Sequence, residues 1–140
     1  MGLLDRFFKP KKVVRIKDTG TPLVRYHKSF HHAVDGYFYA LKEEHNMIII
    51  LLAGILTVIA GFIFKISSME WLFCIMIIGT VMGSELINTA IEATIDLTMP
   101  QIHPLAKIAK DTAGSATLIF AVTAFIGACI IFIPKIIVMF

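Results

Sequence analysis

Gly83-Ser84-Glu85-Leu86-Ile87-Asn88-Thr89-Ala90-Ile91-Glu92-Ala93-Thr94-Ile95-Asp96 closes an apolar run that begins at Trp71. Three acids and an amide stand here at the end of sequence that is otherwise uncharged. On a helix at ~100° per residue, offsets of three, seven and eleven from Glu85 bring Asn88, Glu92 and Asp96 within about 80° of one another. The polar groups form one stripe. A charge at the centre of a membrane helix costs roughly 2.5–3.5 kcal/mol on insertion scales, and less near the ends. Solvated acids at the wet end of a helix account for Asp96. They do not account for Glu85, which lies among Gly83, Leu86 and Ile87, so an offsetting role is expected: metal binding, proton transfer or pairing with cations.

The rest of the chain makes the membrane reading general. Of 140 residues 57% are hydrophobic, and the mean hydropathy is +0.81, above the usual soluble share. Met47 to Phe64 is an uncharged run of about 18 residues, enough to cross a hydrocarbon core. Trp71 to Ser84 is uncharged and continues through the polar stripe, and Ala113 to Ile133 is a third run of about 20 residues. Lipid cannot satisfy backbone groups, and three segments cannot close a β-barrel. The expectation is an all-α membrane protein with a basic tail over residues 1–22, an amphipathic surface helix over 23–46 and a transmembrane domain over 47–140. Its three spans fall at about 47–64, 70–97 and 112–133.

Charge orients them. Arg6, Lys9, Lys11, Lys12, Arg15, Lys17, Arg25, Lys28 and Lys42 precede the first span, whereas the turn from Lys65 to Glu70 has one Lys and the C-terminal end only Lys135. The positive-inside rule places the N-terminus in the cytoplasm, with the Asp96–Asp111 loop on the same side. The acidic stripe then faces the compartment that holds ATP. The basic tail suits anionic lipid headgroups, and no nucleic-acid motif accompanies it. Cys74 and Cys129 stand alone in apolar runs, as buried free thiols do. The first apolar run comes too late for a signal peptide, and Arg6 occupies the place where N-myristoylation wants Ser or Thr.

Between tail and spans, Tyr26, Phe30, Ala33, Val34, Tyr37, Phe38 and Leu41 recur at helical spacing opposite Lys28, His31, Asp35 and Lys42. This is a surface helix whose aromatics anchor in lipid. His31 and His32 are adjacent and cannot share a face. Glu43 and Glu44 end it at the membrane depth of Glu92, so the two carboxylate groups can meet. Beyond the second span, Lys107 and Lys110 lie one turn apart with Asp111 beside them. Ala113, Gly114, Ser115, Ala116, Ala121, Ala124, Gly127 and Ala128 read as small packing residues.

Carboxylates, an amide and lysines gathered at the ATP side suit phosphoryl transfer to a membrane alcohol. No Walker or Gly-rich kinase loop is present. By these features alone a lipid-modifying enzyme, an ion or proton pathway and an assembly protein stand level. Glu85-Leu-Ile-Asn-Thr-Ala-Ile-Glu92-Ala-Thr-Ile-Asp96 followed by His103-Pro-Leu-Ala-Lys-Ile-Ala-Lys110-Asp111 resembles the signature of the small prokaryotic diacylglycerol kinase family, including its Gram-positive undecaprenol kinase branch. The likeness extends from Ser29-Phe30 through Glu44-x-Asn46 to the third span.

The resemblance implies a homotrimer with active sites built between neighbouring subunits, which moves the γ-phosphate of ATP to a lipid hydroxyl with Mg²⁺. It implies Glu85 as general base, Glu44 and Glu92 as metal ligands and Asn88 as the residue that orients the reacting groups. Lys110, Asp111, His103, Gln101 and Arg25 become nucleotide contacts, Asp96 a supporting acid, and Ser29, Phe30 and Ala33 the border of the lipid path. Undecaprenol is favoured over diacylglycerol by the wording His103-Pro104-Leu105-Ala106-Lys107. The chain departs from many relatives in having Glu44-His45-Asn46 and then Ile50 where they carry Glu-Arg-Asn and a later His.

Overall fold

A computed structural model describes residues 21–98 and 103–139, in which the chain forms four helices joined by short connections: α1 (Pro22–Glu43), α2 (His45–Ile63), α3 (Ser68–Thr98) and α4 (Pro104–Met139). The last three are long and apolar enough to cross a membrane. The basic tail lies almost wholly outside the described residues. The chain divides into two units, one ending at Phe38 and one beginning at Tyr39.

The first unit is most of α1. Leu23, Tyr26 and Phe30 are exposed, while Val34 and Tyr37 are half-buried. His27 and His31, one turn apart, meet edge to face with ring centroids 4.5 Å apart.

In the second unit, each helix end has a local cause. Glu44 alone separates α1 from α2; its backbone is extended, with φ −107° and ψ 113°, and its side chain caps nothing. At the far end of α2, the Ile66 amide donates to the Gly61 carbonyl at 3.1 Å and the Lys65 amide to that of Phe62 at 3.4 Å. This is a Schellman closure, and Lys65 takes its left-handed position at φ 48°, where glycine is usual. Ser67 and Glu70 then form a capping box for α3: the Ser67 amide donates to Glu70 Oε2 at 2.6 Å and the Glu70 amide to Ser67 Oγ at 3.3 Å. Pro104 opens α4 at the one helical position where a missing N–H costs nothing.

α3 and α4 run antiparallel against each other along most of their length. Lys110 Nζ meets Asp96 Oδ1 at 2.6 Å at one end, and Lys135 Nζ meets Glu70 Oε1 at 3.1 Å at the other. Between them Gly127 admits the ring of Phe73 where any Cβ would overlap it. α2 packs on α3 through Gly54 against Ile78 and Gly61 against Trp71. At the Glu70 end Ile66, Cys74 and Ile131 form a small buried core, with Phe64, Trp71 and Phe132 packed on it. Cys74 and Cys129 are both free thiols.

Candidate active site

At the opposite end of the unit, the polar stripe of α3 turns inward. Glu85 is 1% exposed and Asn88 6%, in a helix that a soluble pattern would orient the other way. Both line a cavity of about 250 Å³ between α2, α3 and α4, whose other walls include Asn46, Ile50, Gly114 and Thr117. Asn88 Nδ2 donates to Glu92 Oε1 at 3.0 Å, which fixes the amide with its oxygen turned away from Glu92. Glu85 Oε1 and Asn88 Oδ1 have no hydrogen-bond partner in the protein. Unpaired buried polar atoms are costly, so this pair is held in place by the packing of the helices.

Glu44 is brought to the same end. Its carboxyl is held above the ordinary value of 4.5, first by desolvation and then by repulsion from Glu92, Glu85 and Glu43, against a smaller opposing effect of His45. Because the side chain is not used as a cap, it is free to act as a ligand. Among the described residues no three His, Cys, Asp or Glu side chains form a metal cage. Glu44 and Glu92 supply two carboxylates, the kind of donor set that a hard divalent cation completes with substrate phosphates and water.

The remaining expected residues divide. Lys110 is bound to Asp96 across the α3–α4 connection, so its charge is already engaged at the mouth of the site. Asp111 is paired with Lys107 one turn back on the exposed face of α4. His103 Nδ1 accepts the Leu105 amide at 3.2 Å, which makes His103 the cap of α4 and leaves Nε2 as the donor nitrogen. Gln101 lies outside the described residues. Arg25, Ser29, Phe30 and Ala33 all stand on α1 in the first unit, the last three exposed. Thr117 was not among the expected site residues; in sequence it is one more small residue on a helix rich in them.

Over residues 31–132 the sequence matches the family described as prokaryotic diacylglycerol kinase. The undecaprenol kinase of Bacillus subtilis (strain 168) is 41% identical over 119 residues, 85% of this chain and 97% of that protein. A diacylglycerol kinase of Synechocystis is 36% identical over 108 residues, 76% of this chain and 62% of that protein. One from Helicobacter pylori (strain J99) is 38% identical over 96 residues, 68% and 74% of the two chains.

Proposed function

The chain belongs to the prokaryotic diacylglycerol kinase family, and from that premise we propose that this multi-pass membrane lipid kinase phosphorylates undecaprenol, with diacylglycerol as the second candidate. The B. subtilis undecaprenol kinase matches over nearly its whole length, whereas this chain spans 62% of the Synechocystis diacylglycerol kinase. The ion-pathway alternative gains nothing from relatives that are kinases.

The observation that carries the mechanism is the buried Glu85 carboxylate, with one oxygen unpaired at the wall of a cavity. A lipid hydroxyl in that cavity donates its hydrogen to Glu85. Its oxygen bonds to the γ-phosphorus, the bond from that phosphorus to the bridging oxygen breaks, ADP leaves, and the proton passes to Glu85. Glu44 and Glu92 would hold Mg²⁺ together with the ATP phosphates, and the ion would supply charge neutralisation for the transferred group. Asn88, tied to Glu92, keeps the base and the metal ligand in register. Lys110 exchanges Asp96 for a phosphate oxygen, and His103 Nε2, Asp111, Gln101 and Arg25 are further nucleotide contacts. Ser29, Phe30 and Ala33 border the lipid path. The excess of basic residues before the first span supports a cytoplasmic N-terminus.

The test is MgATP-dependent phosphate transfer by the purified protein in mixed micelles that offer undecaprenol and diacylglycerol in parallel, with Glu85→Gln as control. Undecaprenol is expected to be the better acceptor, and Glu85→Gln to lower kcat by at least about 100-fold, as removal of a general base does. A preference for diacylglycerol would reverse the acceptor assignment. Near-normal turnover in Glu85→Gln would remove Glu85 from the mechanism.

A further inference from the structure

Threonines within helices commonly spend their hydroxyl on the carbonyl four residues back. In α2, α3 and α4, Thr57, Thr80, Thr89, Thr94, Thr98, Thr112 and Thr123 all do so, at 2.7–3.0 Å. Thr117 is the exception among the described helical threonines. It is 8% exposed, and its Oγ1 is buried with no hydrogen-bond partner in the protein. The buried side-chain atoms so left among the described residues belong to Glu85, Asn88 and Thr117, and all three residues line the same cavity.

Register explains the coincidence. A Cβ on Gly114 would stand 3.9 Å from Asn88 Oδ1, so these two residues are level across the antiparallel α3–α4 pair. Three residues further along each helix, about 4.5 Å of rise, Thr117 is level with Glu85. The cavity also shares Ile49, Ile50 and Ala121 with a larger apolar cavity of about 410 Å³ between the same helices. A molecule with its polar end at Glu85 and Thr117 therefore has an apolar way for its tail.

We propose that Thr117 is an acceptor-binding residue: its hydroxyl donates to the oxygen of the lipid alcohol while Glu85 accepts that alcohol's hydrogen. This rests on the lipid-kinase reading and deepens it. An alcohol oxygen has one hydrogen and two lone pairs. With the hydrogen on Glu85 and one lone pair on Thr117, the other lone pair is the one left to attack phosphorus. Glu85 removes the proton, and Thr117 fixes the direction of the oxygen. Ser29, Phe30 and Ala33 play no part in this contact.

Thr117→Val and Thr117→Ser test it in the full-length protein, assayed for lipid phosphorylation at saturating MgATP, for KM of ATP at saturating lipid, and for thermal stability. Valine keeps the shape and removes the hydroxyl. The valine variant is expected to lose about tenfold in kcat/KM for the lipid, the size of one well-placed hydrogen bond, with KM for ATP unchanged. Its thermal stability is expected to equal or exceed that of the wild type, because a buried hydroxyl without a protein partner has been replaced by a methyl group. Serine is expected to restore the rate to within about threefold of wild type. The proposal is overturned if valine keeps wild-type kcat/KM, if serine and valine fall alike, or if KM for ATP rises with the lipid defect. Absence of phosphate transfer to either lipid by the folded wild type would instead overturn the kinase reading, and this proposal with it.

Discussion

Glu44 is the one residue between α1 and α2, partly desolvated and exposed to the charges of Glu92, Glu85 and Glu43, which His45 relieves only in part. Its carboxyl is raised above 4.5 in the folded protein, so the folded state binds a proton that the unfolded chain gives up at that pH. Stability without metal therefore falls as pH rises upward from 4.5. A divalent cation reverses the sign, because only the ionised carboxylate is a ligand and binding must expel the proton. Thermal denaturation of wild type and Glu44→Gln across this window is expected to show glutamine more stable at neutral pH without metal, with the difference vanishing as Glu44 protonates. Added Mg²⁺ is expected to raise the wild type increasingly with pH and to leave Glu44→Gln unmoved. A pH-independent gap between the two proteins would show that repulsion at Glu44 is not its source. At this scale the acidic stripe was legible, because Glu85, Asn88 and Glu92 recur with helical period in apolar sequence where charge needs a reason. Thr117 was not: threonine is common in membrane helices and satisfied locally, and only the register between α3 and α4 shows that this one is different.

Elements carry the next lesson, at the tight end of the bundle. A Cβ on Gly61 would meet Trp71 Cη2 at 2.7 Å, Cζ2 at 2.8 Å and Ile66 Cδ1 at 3.1 Å. Trp71 has little freedom to yield, since its ring also packs on Phe62 at a centroid distance of 5.0 Å. Overpacking costs about 1–3 kcal/mol, and the better helix propensity of alanine returns up to about 1 kcal/mol. Gly61→Ala is therefore expected to destabilise by about 1 kcal/mol net. Trp71 is the sole tryptophan, so the same substitution is expected to shift the intrinsic fluorescence while KM for ATP stays put, the site being at the other end of α3. Unchanged emission and stability would mean that α2 and α3 do not close on Gly61. Three long apolar helices were legible from three uncharged runs bounded by charge and turn residues. The Schellman closure at Lys65 and the extended backbone at Glu44 were not, because both place ordinary residues in conformations that only neighbouring helix ends impose.

The whole molecule poses a question of partnership. Most of the surface of α2, α3 and α4 is apolar and uncovered within one chain, with only 17–28% of an 18-residue apolar stretch of each helix buried. Lipid and neighbouring copies both suit such a face, and we propose that three copies share it, as the family resemblance implies. Native mass spectrometry from detergent is expected to give a particle of three 15.6 kDa chains. The structure further bears on how such a trimer divides its labour. Glu44 feels the charges of Glu92 and Glu85 of its own chain, and we propose that one protomer supplies both the base and the metal ligands, although the resemblance implies sites built between subunits. Co-expressing Glu44→Gln with Glu85→Gln makes mixed trimers in which every chain lacks one of the two, and activity is expected to stay at the level of either variant alone. If instead the base of one subunit works with the metal ligand of its neighbour, random mixing joins two intact residues in about a quarter of the sites of a closed ring. Recovery to that level would move Glu44 from its own chain's site to the next one, whereas no recovery, with trimers present, leaves the acid cluster intact inside each protomer.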